Sequence, residues 1–172
     1  MANKFQQGIY EVKNPRKYVG KHRPKYRSGW ELKFMRLLDD HPNILAWASE
    51  SHRIPYRNPA TNKNTHYVPD FFIVYEDKWN TRKAEFIEIK PAGQTLAKAK
   101  SPIQKAQAIV NEAKWQAAKI FAKRQGVGFR VLTENELFNN PKKRKGVLSN
   151  EDLAFQEARR QRRVRRLDFE ER

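Results

Sequence analysis

The chain has 172 residues, 38% of them hydrophobic and 32% charged, which suits one modest core with polar extensions and argues against two domains. Lys and Arg number 36 against 19 Asp and Glu, a net charge of +17, so a polyanion, with nucleic acid as the default, is the expected partner. The absence of cysteine excludes disulfides, zinc–thiolate sites and thiol catalysis.

The N-terminal stretch MANKFQQGIYEV lacks the apolar segment of a signal peptide, and no run approaches the ~18 apolar residues of a membrane helix. A soluble, intracellular protein is expected, without membrane contact. Residues 1–28 carry eight basic side chains against one acidic, and residues 139–172 carry eleven against six. The expected organisation is a basic arm over 1–27, a folded domain over 28–138 and a basic, arginine-rich tail, partly helical, over 139–172.

In chain order, Ser28-Gly-Trp-Glu31 has the S-x-x-E pattern of a capping box, and Trp30, Phe34, Leu37 and Leu38 follow at helical spacing. His41-Pro42-Asn43 ends that helix. Residues 44–56 read as a strand with a break near 49–51, and residues 57–66, polar and rich in turn formers, read as a loop. Two β-branched and aromatic runs, 67–75 and 84–90, flank a connection over 76–83 and read as a hairpin. Residues 92–104 read as a lysine-rich loop, 104–124 as a helix with Ala108, Ala113 or Trp115, Ala118 and Phe121 on its apolar stripe, and Gly126 as its cap. A strand over 127–133 and a short turn or helix from Thr133 complete the domain. Trp30, Trp47 and Trp115 read as core residues. The order helix, strand, strand, strand, helix, strand predicts an α/β fold with a mostly antiparallel sheet and flanking helices.

The chemistry concentrates in Pro69-Asp70 and Glu88-Ile89-Lys90. A hairpin centred on the 79/80 boundary, with partner numbers summing to about 159, sets Asp70 beside Glu88 or Lys90. Glu88 and Lys90 share one strand face, while Ile87 and Ile89 point to the other and serve the core. Two carboxylates ~4 Å apart repel by about 4 kcal/mol at an effective dielectric of 20, which invites a cation. A hard divalent ion with oxygen ligands answers that need, and the Ile89 carbonyl offers one more oxygen. Such an ion polarises a phosphodiester and activates water, and Lys90 would stabilise the charge that develops or orient the attacking water. A surface salt bridge between Asp70 and Lys90 is the plainer alternative.

Pro69-Asp70 and Glu88-Ile89-Lys90, with a preceding helix that carries Glu31, resemble the PD-(D/E)xK nuclease superfamily. YRSGWELK (26–33), SE…IPY (49–56), Tyr67-x-Pro-Asp-Phe71, IEIKP (87–91), AKWQAA (113–118) and GxxFRVLTE (126–134) resemble the head completion nucleases of contractile-tailed bacteriophages and, more distantly, the transposon end-cleaving TnsA endonucleases. The resemblance covers residues 9–138. It implies a restriction-endonuclease-like core with a central mixed β-sheet flanked by helices. It also implies Mg²⁺, with Mn²⁺ as a substitute, and hydrolysis of DNA during head completion and head–tail joining. Portal or neck proteins are then partners, and the host cytoplasm or the virion neck is the location.

By position, the resemblance makes Asp70 and Glu88 metal-binding carboxylates, Lys90 the catalytic lysine and Glu31 a further catalytic acid. Glu31 equally serves as the capping-box acid. Glu50 is either an additional metal ligand or an exposed strand residue. Arg53 and Arg57, with Lys63, read as lining the DNA approach. Lys114 is a phosphate contact or an exposed helix lysine, and Arg159, Arg160, Arg162 and Arg163 read as phosphate binders in the tail. His66 reads as a backbone contact or as idle, and His22, His41 and His52 show no zinc-ligand spacing. There is no P-loop, hence no nucleotide cofactor. Rival readings are a junction-resolving or restriction-type nuclease, a non-catalytic DNA-binding neck adaptor, and an RNA-binding basic protein.

Overall fold

The computed structural model describes residues 6–138; the expected tail helix with Arg159, Arg160, Arg162 and Arg163 lies outside the described residues. Helix α1 (Gly29–Asp40) starts where the sequence pattern placed it: the Glu31 N–H donates to the Ser28 side chain. Strands β3 (Ile44–Ser49), β6 (Phe71–Glu76), β7 (Arg82–Ile89) and β8 (Gly128–Leu132) form one sheet in the order β3-β6-β7-β8. The first two pairings are antiparallel and β7–β8 is parallel. A parallel neighbour requires a crossover, and helix α2 (Pro102–Arg124) supplies it. Helix α3 (Glu134–Phe138) follows β8. The fold is therefore α/β, with a mixed sheet and flanking helices.

The two sheet faces hold separate cores. On one, Phe34, Met35 and Leu38 of α1 pack against Trp47, Phe71, Ile73, Ile87 and Ile89. On the other, Trp115 and Ala118 of α2 pack with Ile54, Tyr56 and Tyr67, and Phe129 and Val131 of β8 join them. Period-2 alternation along β7 assigns Ile87 and Ile89 to the first core and leaves Glu88 facing the second.

Several expectations are corrected. Residues 57–66 are no loop: β4 (Ile54–Asn58) and β5 (Lys63–Tyr67) form a two-stranded ribbon around a four-residue turn. The turn formers mark Pro59–Asn62 correctly, but β5 alternates no apolar residues because its side chains up to His66 are exposed. The strand expected over 67–75 begins at Phe71, since Tyr67 closes the ribbon and Val68–Asp70 passes between the two sheets. The strand break falls at Glu50, whose φ of 47° turns the chain through the left-handed region. Helix α2 begins at Pro102, at its first turn, with Ser101 and Gln104 forming a capping box; its buried stripe includes Asn111 and Ala122 and leaves Phe121 half-buried.

The segment before Ser28 is woven into the body. Strands β1 (Gly8–Ile9) and β2 (Lys25–Tyr26) pair, Tyr10 is buried in the first core, and Tyr18 bridges to Trp47. Asp39, fully buried near the end of α1, accepts hydrogen bonds from the Tyr10 hydroxyl (2.9 Å), Lys13 N–H (2.7 Å) and Asn14 N–H (3.1 Å). Lys17 Nζ reaches the carbonyls of Asp39 and His41 at the helix C-terminus, where a cation is favoured.

Candidate nuclease site

The β6–β7 ladder pairs Phe71 with Ile87 and Glu76 with Arg82, so its continuation sets Asp70 directly opposite Glu88. Opposed residues of an antiparallel pair share a face, so both carboxylates lie on the α2 side of the sheet. The ladder is one residue tighter than the expected centre, and Asp70 faces Glu88 as one of the two expected partners. Asp70 Oδ2 accepts the Ile89 backbone N–H at 2.7 Å, which clamps the two strand ends together. Glu88 is 3% exposed; its Oε2 accepts the Tyr67 hydroxyl at 2.7 Å, and its Oε1 lies 3.0 Å from Lys90 Nζ. Lys90 is fixed through its backbone, which donates to the Leu132 carbonyl at 2.9 Å.

The electrostatics follow from burial and like charge. Burial, then the neighbouring Glu88, push the Asp70 carboxyl well above the usual carboxylate range, against the Ile89 N–H that lowers it. Burial works against the charge on Lys90, but Glu88 and Asp70 together outweigh it and hold the ammonium above its ordinary value. Lys90 is therefore a cation here, suited to a phosphate oxygen and not to a general base. Burial and the Glu88 charge drive the Tyr67 phenol far up, so it serves as a donor.

Of the two roles expected for Glu31, the structure carries the cap. Its carboxylate closes the cap, taking the Arg27 N–H at 2.8 Å and the Ser28 hydroxyl at 3.0 Å. Its charge also raises Asp70 and Lys90, as a minor cause in each. Burial raises its carboxyl, with Arg27 and Ser28 lowering it. Glu50 is exposed and its Oε1 pairs with Arg27 at 2.7 Å, although its N–H donates to the Asp70 carbonyl at 3.0 Å. Arg53, just before β4, and Arg57, on the ribbon, are exposed, and Lys114 is half-buried on α2. Tyr67 is the residue to which the sequence assigned no role. A buried tyrosine two positions before Pro-Asp needs a partner for its hydroxyl, and that was the available signal.

Among the described residues, no three Asp, Glu or His side chains converge as a metal site. Two carboxylates do converge, with one lysine and the charge of Glu31 nearby. That donor set is hard oxygen, and two facing carboxylates are a pair that a cation would relieve. Magnesium needs one or two carboxylates, the rest being water and phosphate, so Asp70 and Glu88 fit it.

The family model described as TnsA-like endonuclease N terminal matches residues 41–134. The chain belongs to this family. The matched segment contains Asp70, Glu88 and Lys90 and ends just after β8. Glu31, on α1, precedes that segment. The chain is also similar to the "Head completion nuclease" of Enterobacteria phage T4, with 37% identity over 145 residues, which spans 76% of this chain and 92% of that protein.

Proposed function

We propose that this protein is a magnesium-dependent deoxyribonuclease that hydrolyses phosphodiester bonds at the Asp70–Glu88–Lys90 cluster. The observation that carries this reading is the pairing of Asp70 with Glu88 across the β6–β7 ladder, with Lys90 Nζ 3.0 Å from Glu88. Asp70 and Glu88 would hold the ion, with the Ile89 carbonyl as a further oxygen and Mn²⁺ as a substitute. When bound, the ion polarises the phosphate and lowers the pKa of a coordinated water. Lys90 holds its proton and stabilises negative charge on the phosphate oxygens. Tyr67 fixes one oxygen of Glu88 and leaves the other turned toward Lys90. Glu31 adds negative potential, Arg53 and Arg57 line the DNA approach, and Lys114 and the tail arginines supply affinity for the DNA backbone.

The likeness to the phage head completion nuclease supports a role at the same stage for this chain. It would trim or process DNA at head completion and head–tail joining, first in the host cytoplasm and then at the neck, beside portal or neck proteins. The test is cleavage of linear and supercoiled plasmid with magnesium, with EDTA, and by Glu88→Ala. Metal-dependent cutting that disappears in Glu88→Ala supports the reading. Cutting retained by that variant overturns the site, and no cutting by the folded wild type favours a non-catalytic neck adaptor.

A further inference from the structure

We propose that the β4–β5 ribbon is a groove-reading finger, which enters the major groove of duplex DNA and sets the register of the neighbouring site on it. The inference rests on the nuclease reading for its substrate, but concerns the exposed outer part of the ribbon, beyond Tyr67, to which that reading gives no role in hydrolysis.

The base of the ribbon is fixed and its far half projects. Ile54, Tyr56 and Tyr67 are buried with Trp115 and Ala118, and Tyr67 is tied to Glu88. Beyond them, every residue from Pro59 to His66 is exposed. The tip is nevertheless built: the Asn62 N–H donates to the Asn58 carbonyl at 2.7 Å, and the Ala60 N–H donates to Asn58 Oδ1 at 2.9 Å. Asn62 has φ of 56°, a left-handed conformation that asparagine tolerates. Its Oδ1 accepts from Arg57 Nε at 2.8 Å. A solvent-exposed strand pair ordered in this way is prepared to meet a partner with little loss of conformational freedom.

The chemistry of the finger names the partner. Residues 51–69 contain no Asp or Glu, in a chain that has 19 of them, yet they include Arg53, Arg57 and Lys63 and two histidines. Pro55 lies opposite His66 and Arg57 opposite Asn64, so Arg57, Asn64 and His66 share the outward face, with Arg53 exposed just before the strand. Arginine and asparagine carry the paired donors and acceptors that match guanine and adenine edges in the major groove, and a two-stranded ribbon fits that groove. Five residue pairs extend about 17 Å, roughly half a duplex turn. An acidic protein surface would be met by the charges alone and would not require the projecting ribbon shape.

The test is binding by the full chain in EDTA, read by fluorescence anisotropy on three short duplexes of one sequence. One is plain, one carries bulky C5-substituted pyrimidines that fill the major groove, and one is saturated with a minor-groove ligand. The wild type is expected to bind the C5-filled duplex about tenfold more weakly than the plain one and to ignore the minor-groove ligand. Arg57→Ala combined with Asn64→Ala should weaken binding to plain duplex by a similar factor and abolish the sensitivity to C5 filling. Equal wild-type affinity for plain and filled duplexes overturns the proposal, as does competition by the minor-groove ligand. Groove-sensitive binding together with a failure to cut in magnesium would sink the nuclease reading and leave the finger standing.

Discussion

The Tyr67 hydroxyl donates to Glu88 Oε2 at 2.7 Å, joining the last residue of the ribbon to a carboxylate on the central sheet. Both residues are buried, so neither can exchange this partner for water without local opening. Tyr67→Phe keeps the ring in its core and removes the hydrogen bond alone. It leaves a buried carboxylate oxygen unpaired, at a cost of about 1–3 kcal/mol. The expected outcome is a magnesium requirement raised about 10- to 100-fold, as for other residues that orient metal-binding groups. Calcium or manganese binding measured by calorimetry should weaken in parallel. Unchanged metal dependence would show that the tyrosine only packs.

The raised Asp70 carboxyl gives a pH prediction for the metal-free protein. A folded carboxyl above its unfolded value binds more protons in the folded state. Its contribution is therefore fully present at low pH and is lost as pH rises through the folded value. In EDTA, Asp70→Asn should then be more stable than wild type at pH 8, by on the order of 1 kcal/mol or about 2–4 °C in Tm. The advantage should shrink toward pH 5. Melting curves at several pH values check this, and an advantage that grows on acidification contradicts the sign. Cleavage in magnesium should be lost in the variant at every pH.

Glu31 can be divided between its two roles by two substitutions. Glu31→Gln keeps an acceptor for the Arg27 N–H and Ser28 and removes the charge that acts on Asp70 and Lys90. Glu31→Ala removes both, and loss of the cap contact costs about 1 kcal/mol. If the charge serves the site, Glu31→Gln loses at least about tenfold in cleavage rate with little change in Tm. Full activity in Glu31→Gln would leave Glu31 as a cap.

Asp39→Ala is expected to be among the most destabilising single changes in the described residues. It removes three hydrogen bonds to a buried charge, each of a kind worth about 1.5–3 kcal/mol before relaxation. A net loss of about 3–5 kcal/mol is expected in chemical denaturation, together with faster amide exchange in residues 10–17. A loss below about 1 kcal/mol would mean that the N-terminal segment is held mainly by Tyr10 and Tyr18.

The β6–β7 hairpin was legible because three local signals agree: Pro-Asp punctuation, period-2 alternation over 84–90, and turn formers near residue 79. Alternation alone sent Ile87 and Ile89 to one face and Glu88 to the other. The ribbon was not legible, since its outer half buries nothing and so carries no pattern. The N-terminal segment looked like an arm for a related reason. Its anchors are scattered contacts, among them Tyr10, Tyr18 and the donors that meet Asp39, without periodicity. Asp39 reads in the sequence as an unfavourable acid near a helix C-terminus, and only the fold shows the donors that meet it. Glu31 remained ambiguous because a cap acid and a site acid leave the same mark in the sequence, and only the fold shows its bonds to Arg27 and Ser28.

The parallel β7–β8 pairing places the backbone of Lys90 against Leu132, across the whole of α2. The Asp70–Glu88 hairpin closes over a short loop, but the strand that pins Lys90 arrives last, and such non-local pairings form late. On the ribosome, the carboxylates therefore come together before the lysine is secured. A partly made chain holds an acidic pair without its settled cation, and the assembled site dates from the completion of nearly the entire nuclease fold.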